Sequence, residues 1–355
     1  MTTPDFGASH SLNAQYDAVP ETSLAAYRGR RIVIPAPSYQ FLTKTGEIDH
    51  ARREAALGNL EALGVVPTLM AGALTQDGRY AGPDEVRAAD FQTALTRDPA
   101  EADLVMPIRG GDGRERGLAP RFGYGMTRLL PLLDWEAIGR AAVPMVGFSD
   151  FTAFNLALLA KTGRASWHGP MLGSFDNPDP YMVERFAVVF GAELDPIEWE
   201  ADPNLLGNWA DQTEQRAAGL LWGGNLCLIE SLVGTAWMPP KEMLEGGILF
   251  LEDVGEYAYR VERMLLTLLD AGILARQRAV LLGAFTNADD SIRFPGDHCL
   301  ADSLAFIRRR LPASIPMVSG LPFGHIAKKA TLPVGVMAEF SLHAGRAALS
   351  WKEMP

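Results

Sequence analysis

The segment Val146-Gly147-Phe148-Ser149-Asp150 indicates how the first half of this chain folds. The apolar run at 143–146 has the character of the end of a buried strand. Apolar residues then recur at helical spacing from Phe151 until Gly163, a typical C-terminal stop. Ser149 is therefore expected at a corner between a strand and a helix, where helix N–H groups can face a developing negative charge. The corner lacks the second glycine of G-x-S-x-G, and a serine before a helix is commonly just an N-cap.

The residues before this corner alternate between strand and helix patterns. Strands are predicted at 31–38, from residue 65 and at 102–108, and helices at 49–63, 84–95 and 126–139. Such alternation favours an α/β domain with a mostly parallel sheet and crossover helices. We assign this domain to residues 29–172 and interpret the polar, aperiodic residues 1–28 as a flexible tail.

A second domain is predicted after a connection. Residues 173–215 are rich in Asp, Asn and Pro and are interpreted as a linker. Within residues 216–355, strands are expected at 247–251 and 279–285 and helices at 259–269 and 300–311. The last strands, near 334–340 and 347–351, are predicted to be antiparallel.

Composition and charge exclude several functions. The chain has 355 residues, enough for two domains, and a net charge of −11 makes nucleic acid and anionic membranes poor partners. No basic-then-apolar leader and no run of about 18 apolar residues is present, so a cytoplasmic protein is expected. Cys227 and Cys299 have no metal-ligand spacing and are interpreted as reduced core thiols.

Ser149, Glu252 and His325 each follow a predicted apolar strand. In open α/β folds, ligands bind at the edge formed by the carboxyl ends of the strands. A serine hydroxyl needs a neutral imidazole to take its proton, and the imidazole needs a carboxylate to orient it. Each residue also has a simpler interpretation, since Glu252 can pair with Arg260 or Arg263, and His325 can be an ordinary loop histidine.

Two further histidines and a glycine-rich loop are alternative candidates for a functional site. His168 follows the Ser149 helix closely and is the strongest competitor for a place in the same cleft. His298 lies near several aspartates, but its loop is typical of a solvated surface, and no metal is predicted. The loop at 110–125 contains neither G-x-G-x-x-G nor a P-loop motif, so nucleotide binding is not favoured.

Four motifs resemble the LD-carboxypeptidases, also called muramoyltetrapeptide carboxypeptidases. The likeness runs from about residue 31 to residue 336, in the order that the family has. The motifs are Gly147-Phe148-Ser149-Asp150-Phe151-Thr152-Ala153, Trp222-Gly223-Gly224-Asn225-Leu226, Leu251-Glu252-Asp253-Val254 with the segment 259–263, and Phe323-Gly324-His325 with the segment 331–335.

This resemblance implies a serine peptidase that removes the terminal D-alanine from cytoplasmic murein tetrapeptides without a metal or cofactor. It implies an N-terminal parallel-sheet domain, a C-terminal barrel-like β domain with helices, an active site in the cleft between them, and a homodimer. Ser149 would be the nucleophile, His325 the general base and acid, and Glu252 the residue that orients His325. Substrate contacts would come from Arg109, Trp222, Gly224 and Asn225.

The chain departs from the family pattern in the oxyanion loop. The family's R-G-G-Y-G is divided here between Arg109-Gly110-Gly111 and Gly123-Tyr124-Gly125, with residues 111–122 inserted. The first oxyanion donor is expected to be the backbone N–H of Asp150, and the second comes from Gly111 or Gly123. The insertion either reaches a substrate carboxylate with Arg114, Arg116 and Arg121 or forms a solvated flap.

Two other functions stay open on sequence alone. One is a microcin-immunity-type peptidase of the same fold, which cleaves a carboxamide-like bond to a nucleotide. The other is a murein-peptide-binding protein that has lost catalysis through the altered loop, although the presence of Ser149, Glu252 and His325 counts against it.

Overall fold

The structure is a computed structural model that describes residues 16–110, 124–206 and 214–355. Helices and strands alternate through most of it, as expected for an α/β protein. The helices are α1 (Glu21–Ala25), α2 (His50–Ala62), α3 (Asp84–Leu95), α4 (Met126–Leu129), α5 (Trp135–Arg140), α6 (Thr152–Thr162), α7 (Pro180–Phe186), α8 (Pro203–Leu206), α9 (Leu226–Leu232), α10 (Lys241–Leu244), α11 (Ala258–Asp270) and α12 (Leu300–Arg310). The strands are β1 (Arg31–Ile34), β2 (Val66–Leu69), β3 (Leu104–Val105), β4 (Ser166–His168), β5 (Ile197–Glu200), β6 (Gln215–Asn225), β7 (Ile248–Val254), β8 (Ala279–Thr286), β9 (Met317–Ser319), β10 (Leu332–Val334), β11 (Val336–His343) and β12 (Arg346–Trp351).

A small parallel sheet forms the N-terminal half. Its central strand, β1, pairs in parallel with β2 on one side and β3 on the other. Parallel bridges from Val105 to Met145 and from Val146 to Trp167 continue the same direction toward β4. The carboxyl ends of these strands therefore lie along one edge, and Ser149 follows directly from it.

A seven-stranded sheet in the order β5-β12-β11-β6-β7-β8-β9 forms the C-terminal half. Strands β6 to β9 are parallel, whereas β11, β12 and β5 pair antiparallel. The sheet curls into a half-barrel with helices, so the predicted fold class is confirmed. The two halves meet where β4 pairs antiparallel with β10, with His168 opposite Leu332.

One apolar core is shared between the two halves. Phe151 and Phe154 from α6 and its preceding turn belong to the same buried cluster as Trp222 and Phe250 from the seven-stranded sheet. A second cluster lies under the N-terminal sheet and includes Tyr27. Because this cluster contains buried side chains from both halves, it holds the edge of one sheet against the edge of the other.

The boundaries drawn from the sequence stay a prediction, but the structure adds detail to them. Within 173–215, α7 packs on the N-terminal core and β5 forms an edge of the seven-stranded sheet. Residues 16–28 contain α1, and the Tyr27 hydroxyl donates to the Val183 carbonyl at 2.5 Å. This part of the segment interpreted as a tail is therefore packed, because Tyr16, Val19 and Tyr27 are buried in the N-terminal core.

The predicted helix at 126–139 is interrupted. Helix α4 ends at Leu129, a 3-10 turn follows at Leu130–Leu132, and α5 begins after Asp134, whose side chain accepts from the Ala137 N–H. Pro131 has no N–H to continue the helical ladder, which accounts for the break. Across the described residues, no helix is both long enough and apolar enough to cross a membrane.

Candidate active site

Ser149 stands on a strained corner. Its φ is 62°, its side chain is buried, and it opens a 3-10 turn that leads into α6. A left-handed φ costs a non-glycine residue roughly 1–2 kcal/mol, so the surroundings must hold it in place. The Asn155 amide donates to the Gly147 carbonyl at 3.1 Å, and a Cβ on Gly147 would stand only 2.5 Å from the Phe151 ring. The corner is fixed from both sides.

Gly110 approaches both Ser149 and the backbone of Asp150 closely. A Cβ added to Gly110 would lie 3.3 Å from Ser149 Oγ and 3.2 Å from the Asp150 nitrogen. Because Gly110 has no side chain, this position does not cover the serine hydroxyl or the Asp150 N–H, which is the first expected oxyanion donor. Gly111 and Gly123, the two candidates for the second donor, lie outside the described residues, as does the 111–122 insertion.

The Asp150 side chain is hydrogen-bonded at the end of the glycine-rich loop. Its Oδ2 accepts from the Ser38 hydroxyl at 2.6 Å and from the Met126 N–H at 2.9 Å. Burial raises the pKa of the carboxyl, while the hydrogen bonds from Ser38 and Met126 oppose that rise. Asp150 thus links the nucleophile corner to the start of α4.

His325 and Glu252 form a short hydrogen bond. His325 Nδ1 lies 2.7 Å from Glu252 Oε2, and the Glu252 side chain is fully buried. The loop can approach this closely because position 324 is glycine with a φ of 117°, where a Cβ would stand 3.0 Å from the Glu252 Cβ. The other carboxylate oxygen, Oε1, accepts from the Asn225 amide at 3.2 Å.

The pKa of Glu252 reflects these contacts. Burial by itself raises it, but the charge of His325 and its hydrogen bond outweigh burial, with smaller help from His168 and Asn225. The net pKa of Glu252 lies below its ordinary value, so the group that is hydrogen-bonded to His325 Nδ1 is an ionised carboxylate. A carboxylate there keeps the proton on Nδ1 and leaves Nε2 free to accept another.

The His325 imidazole packs against Phe148. The ring centres of Phe148 and His325 are 4.9 Å apart, and Phe148 directly precedes Ser149. The fold thus brings a residue after β9, a residue in β7 and the corner before α6 to one place, although 176 positions separate Ser149 from His325 in the sequence.

His168 occupies a supporting position behind the site. Its Nε2 lies 2.9 Å from Thr152 Oγ1, which itself accepts from the Asn225 N–H at 3.0 Å. Burial lowers the pKa of His168 to about 3, partly offset by Glu252. His168 is a neutral, buried histidine that ties α6 to β6 through Thr152, and a Cβ on Gly224 would collide with it and with Thr152.

The other residues predicted to bind substrate have different surroundings. Trp222 is fully buried, and its indole N–H donates to Gln277 at 2.9 Å. Gly224 packs on His168, and Asn225 holds the carboxylates of Glu252 and Asp253. Arg109 is half-buried, and its guanidinium donates to the Gln40 carbonyl at 3.4 Å. Of these four, Arg109 is the residue next in sequence to Gly110, which lies against Ser149.

No group of three or more His, Cys, Asp or Glu side chains in the described ranges is placed to hold a metal ion. His298, considered above, lies 2.7 Å from the Ser303 hydroxyl and 3.4 Å from Glu262.

Lys329 is a residue of the site that the sequence did not single out. Only 7% of it is exposed, and its Nζ lies 4.3 Å from the centre of the Phe148 ring. Burial lowers its pKa to about 8, against the attraction of Glu252 and Asp176. Its neighbour Lys328 is exposed, and nothing in the Lys-Lys pair distinguishes the two.

A serine on a strained strand–helix corner, preceded by a ring that contacts an imidazole hydrogen-bonded to a buried carboxylate, is typical of a serine hydrolase. The chain belongs to the LD-carboxypeptidase family: residues 32–169 match its N-terminal domain and residues 218–340 its C-terminal domain. It is a serine-type LD-carboxypeptidase.

Individual relatives agree with this assignment. The chain is 34% identical to the murein tetrapeptide carboxypeptidase of Pseudomonas aeruginosa over 295 residues, which is 80% of this chain and 87% of the relative. The crystal structure of muramoyltetrapeptide carboxypeptidase from Oxalobacter formigenes superposes with a TM-score of 0.73 at 32% identity, covering 92% and 99% of the two chains. The microcin C7 self-immunity protein MccF of Escherichia coli is 27% identical over 302 residues, 76% of this chain and 79% of the relative.

Proposed function

We propose that this protein releases the terminal D-alanine from murein tetrapeptides during cell-wall recycling. The observation that carries the proposal is the His325–Glu252 pair, at 2.7 Å, packed on the residue before a strained serine. The names of the relatives from Pseudomonas aeruginosa and Oxalobacter formigenes supply the substrate class. A cytoplasmic location and a homodimer go with this role and stay predictions.

In the proposed mechanism, Ser149 Oγ attacks the carbonyl carbon of the third residue of the peptide. His325 Nε2 takes the hydroxyl proton, while Glu252 holds Nδ1 and stabilises the imidazolium. The carbonyl oxygen becomes an oxyanion that accepts from the Asp150 N–H, with Gly111 or Gly123 as the second donor.

The second half of the reaction uses the same residues. The imidazolium returns its proton to the nitrogen of the leaving D-alanine as the C–N bond breaks, which leaves an acyl-enzyme on Ser149. A water molecule, deprotonated by His325, then attacks the ester, and the tripeptide leaves with a new carboxylate. The cleft between the predicted domains, 29–172 and 216–355, is where these groups meet.

The test is an assay of D-alanine release. Purified protein is incubated with murein tetrapeptide, and free D-alanine is quantified over time, with and without EDTA. We expect steady release that EDTA does not change, since neither step uses a metal. Absence of release overturns the proposed substrate, and loss with EDTA that zinc restores would refute the metal-free mechanism.

The relation to MccF supports a second candidate. A microcin-immunity-type peptidase would cleave an amino-acid–nucleotide conjugate through a carboxamide-like bond. Parallel assays with such a conjugate and with tetrapeptide separate the two functions, because the immunity-type peptidase predicts cleavage of the conjugate alone and the carboxypeptidase predicts release of D-alanine from the tetrapeptide. A protein that binds murein peptide and cleaves neither substrate would be the non-catalytic alternative.

A further inference from the structure

Lys329 is a buried cation beside the nucleophile corner that the proposed mechanism does not use. It lies on the segment between β9 and β10, four residues after His325. Its ammonium and the His325 imidazole both contact the Phe148 ring, at 4.3 Å and 4.9 Å from the ring centre. Among the residues that the structure describes, none forms a hydrogen bond or a close ion pair with the ammonium.

The two carboxylates that raise the pKa of Lys329 already have other partners. Glu252 accepts from His325 with one oxygen and from Asn225 with the other. Asp176 is paired with Arg52. Burying an ammonium without a hydrogen-bonded counter-charge is costly, and proteins keep such groups mainly where something else pairs with them. Lys329 is therefore positioned for an anion that arrives with the substrate.

We propose that Lys329 binds the C-terminal carboxylate of the peptide and so restricts the enzyme to cleaving the last residue. The inference rests on the proposed function, which places the nitrogen of the leaving residue at His325 because that nitrogen receives its proton. One carbon atom separates this nitrogen from the carboxylate of the same residue. The carboxylate must therefore lie near the imidazole, and the ring on which the imidazole packs, Phe148, also contacts the ammonium.

The expected consequence is a strong preference for a free C-terminal carboxylate. A tetrapeptide whose terminus is an amide has the same shape but leaves the buried ammonium unpaired. Loss of one partner from a buried, hydrogen-bonded charge pair corresponds to a change of roughly 100-fold in affinity. Lys329 is therefore expected to determine the ratio of the affinities for acid and amide, and not the affinity for the peptide as a whole.

The experiment measures binding in a protein that cannot turn over. In the Ser149→Ala background, calorimetry gives the Kd of the tetrapeptide acid and of its C-terminal amide. We expect the acid to bind roughly 100-fold more tightly. Lys329→Met in the same background should bring the ratio of the two constants close to one, and Lys329→Arg should restore part of it. Lys328→Met is the matched control, since it removes the same charge from the adjacent, exposed position.

A second measurement follows the acid-to-amide ratio as a function of pH. The pKa of about 8 means that the ammonium is protonated at neutral pH and loses its proton above that value. The acid-to-amide ratio should therefore be full at pH 7 and fall as the pH rises through about 8 to 9. Glu252 and Asp176 are the carboxylates that act on this lysine, and His325 shares its ring. Arginine keeps its positive charge over this pH range, so a Lys329→Arg protein should keep its own acid-to-amide ratio.

Each outcome decides the matter. Equal Kd values for acid and amide in the Ser149→Ala protein, or a ratio that survives Lys329→Met, would overturn the role of Lys329 while leaving the proposed reaction intact. Binding of neither peptide would overturn the proposed substrate and this inference together. Loss of the acid-to-amide ratio in both Lys329→Met and Lys328→Met would overturn the specific role of Lys329, because the preference would then depend on the total charge of the loop.

Discussion

Replacing Ser149 with alanine is expected to lower kcat for D-alanine release by roughly 10⁴- to 10⁶-fold, because no other group can form the acyl-enzyme. The fold should persist, since the corner is held by Asn155 and by the close approach of Phe151 to Gly147. The measurement is a rate on murein tetrapeptide, together with the Tm of both proteins. Release at more than about a thousandth of the wild-type rate would contradict the assignment of Ser149.

The control for this experiment is a double variant. Residues that act as one catalytic unit show strongly non-additive losses. Ser149→Ala combined with His325→Ala should therefore be no slower than Ser149→Ala alone. A further large drop in the double variant would mean that the two residues serve separate steps.

Replacing Glu252 with glutamine is expected to lower kcat by roughly 10³- to 10⁴-fold. The side chain keeps its shape, but a neutral amide neither stabilises the imidazolium nor enforces the proton on His325 Nδ1. Glu256→Gln is the matched control: Glu256 is also buried and lies just after the strand that carries Glu252, but its partner is Arg260. A loss in Glu256→Gln as large as that in Glu252→Gln would contradict a specific role for Glu252.

The same variant has a predicted effect on acid stability. The pKa of Glu252 is held below its ordinary value of 4.5, so its contacts stabilise the folded state above that value. This contribution is lost as the pH falls through the folded-state pKa. The free energy of unfolding should therefore decline less steeply on acidification in Glu252→Gln than in the wild type.

Much of this site follows from sequence patterns because it is built at strand ends. Short apolar runs predict the ends of β1 in the N-terminal sheet and of β7 and β8 in the C-terminal sheet, and the parallel strands of each sheet end at one edge. Ser149 and Glu252 could be placed there from their position alone. The helical period from Phe151 to Gly163 likewise predicts α6, which ends at that glycine in a left-handed cap.

Other features depend on contacts between distant segments. Trp222 belongs to a recognisable motif, but its indole is in the core and bonded to Gln277, which the motif does not reveal. Lys329 and Lys328 are indistinguishable in sequence, and only the fold shows that one lies against Phe148 while the other lies over Tyr181. Local periodicity carries no information on pairs separated by so many residues.

The most direct test is to find which residue a serine-directed fluorophosphonate modifies. Intact mass and peptide mapping should show a single adduct, on Ser149. The rate of labelling should fall by at least about a hundredfold in His325→Ala, because the hydroxyl then has no base to take its proton. An adduct on another residue, or labelling that is as fast without His325, would contradict a hydroxyl, an imidazole and a carboxylate working as one unit.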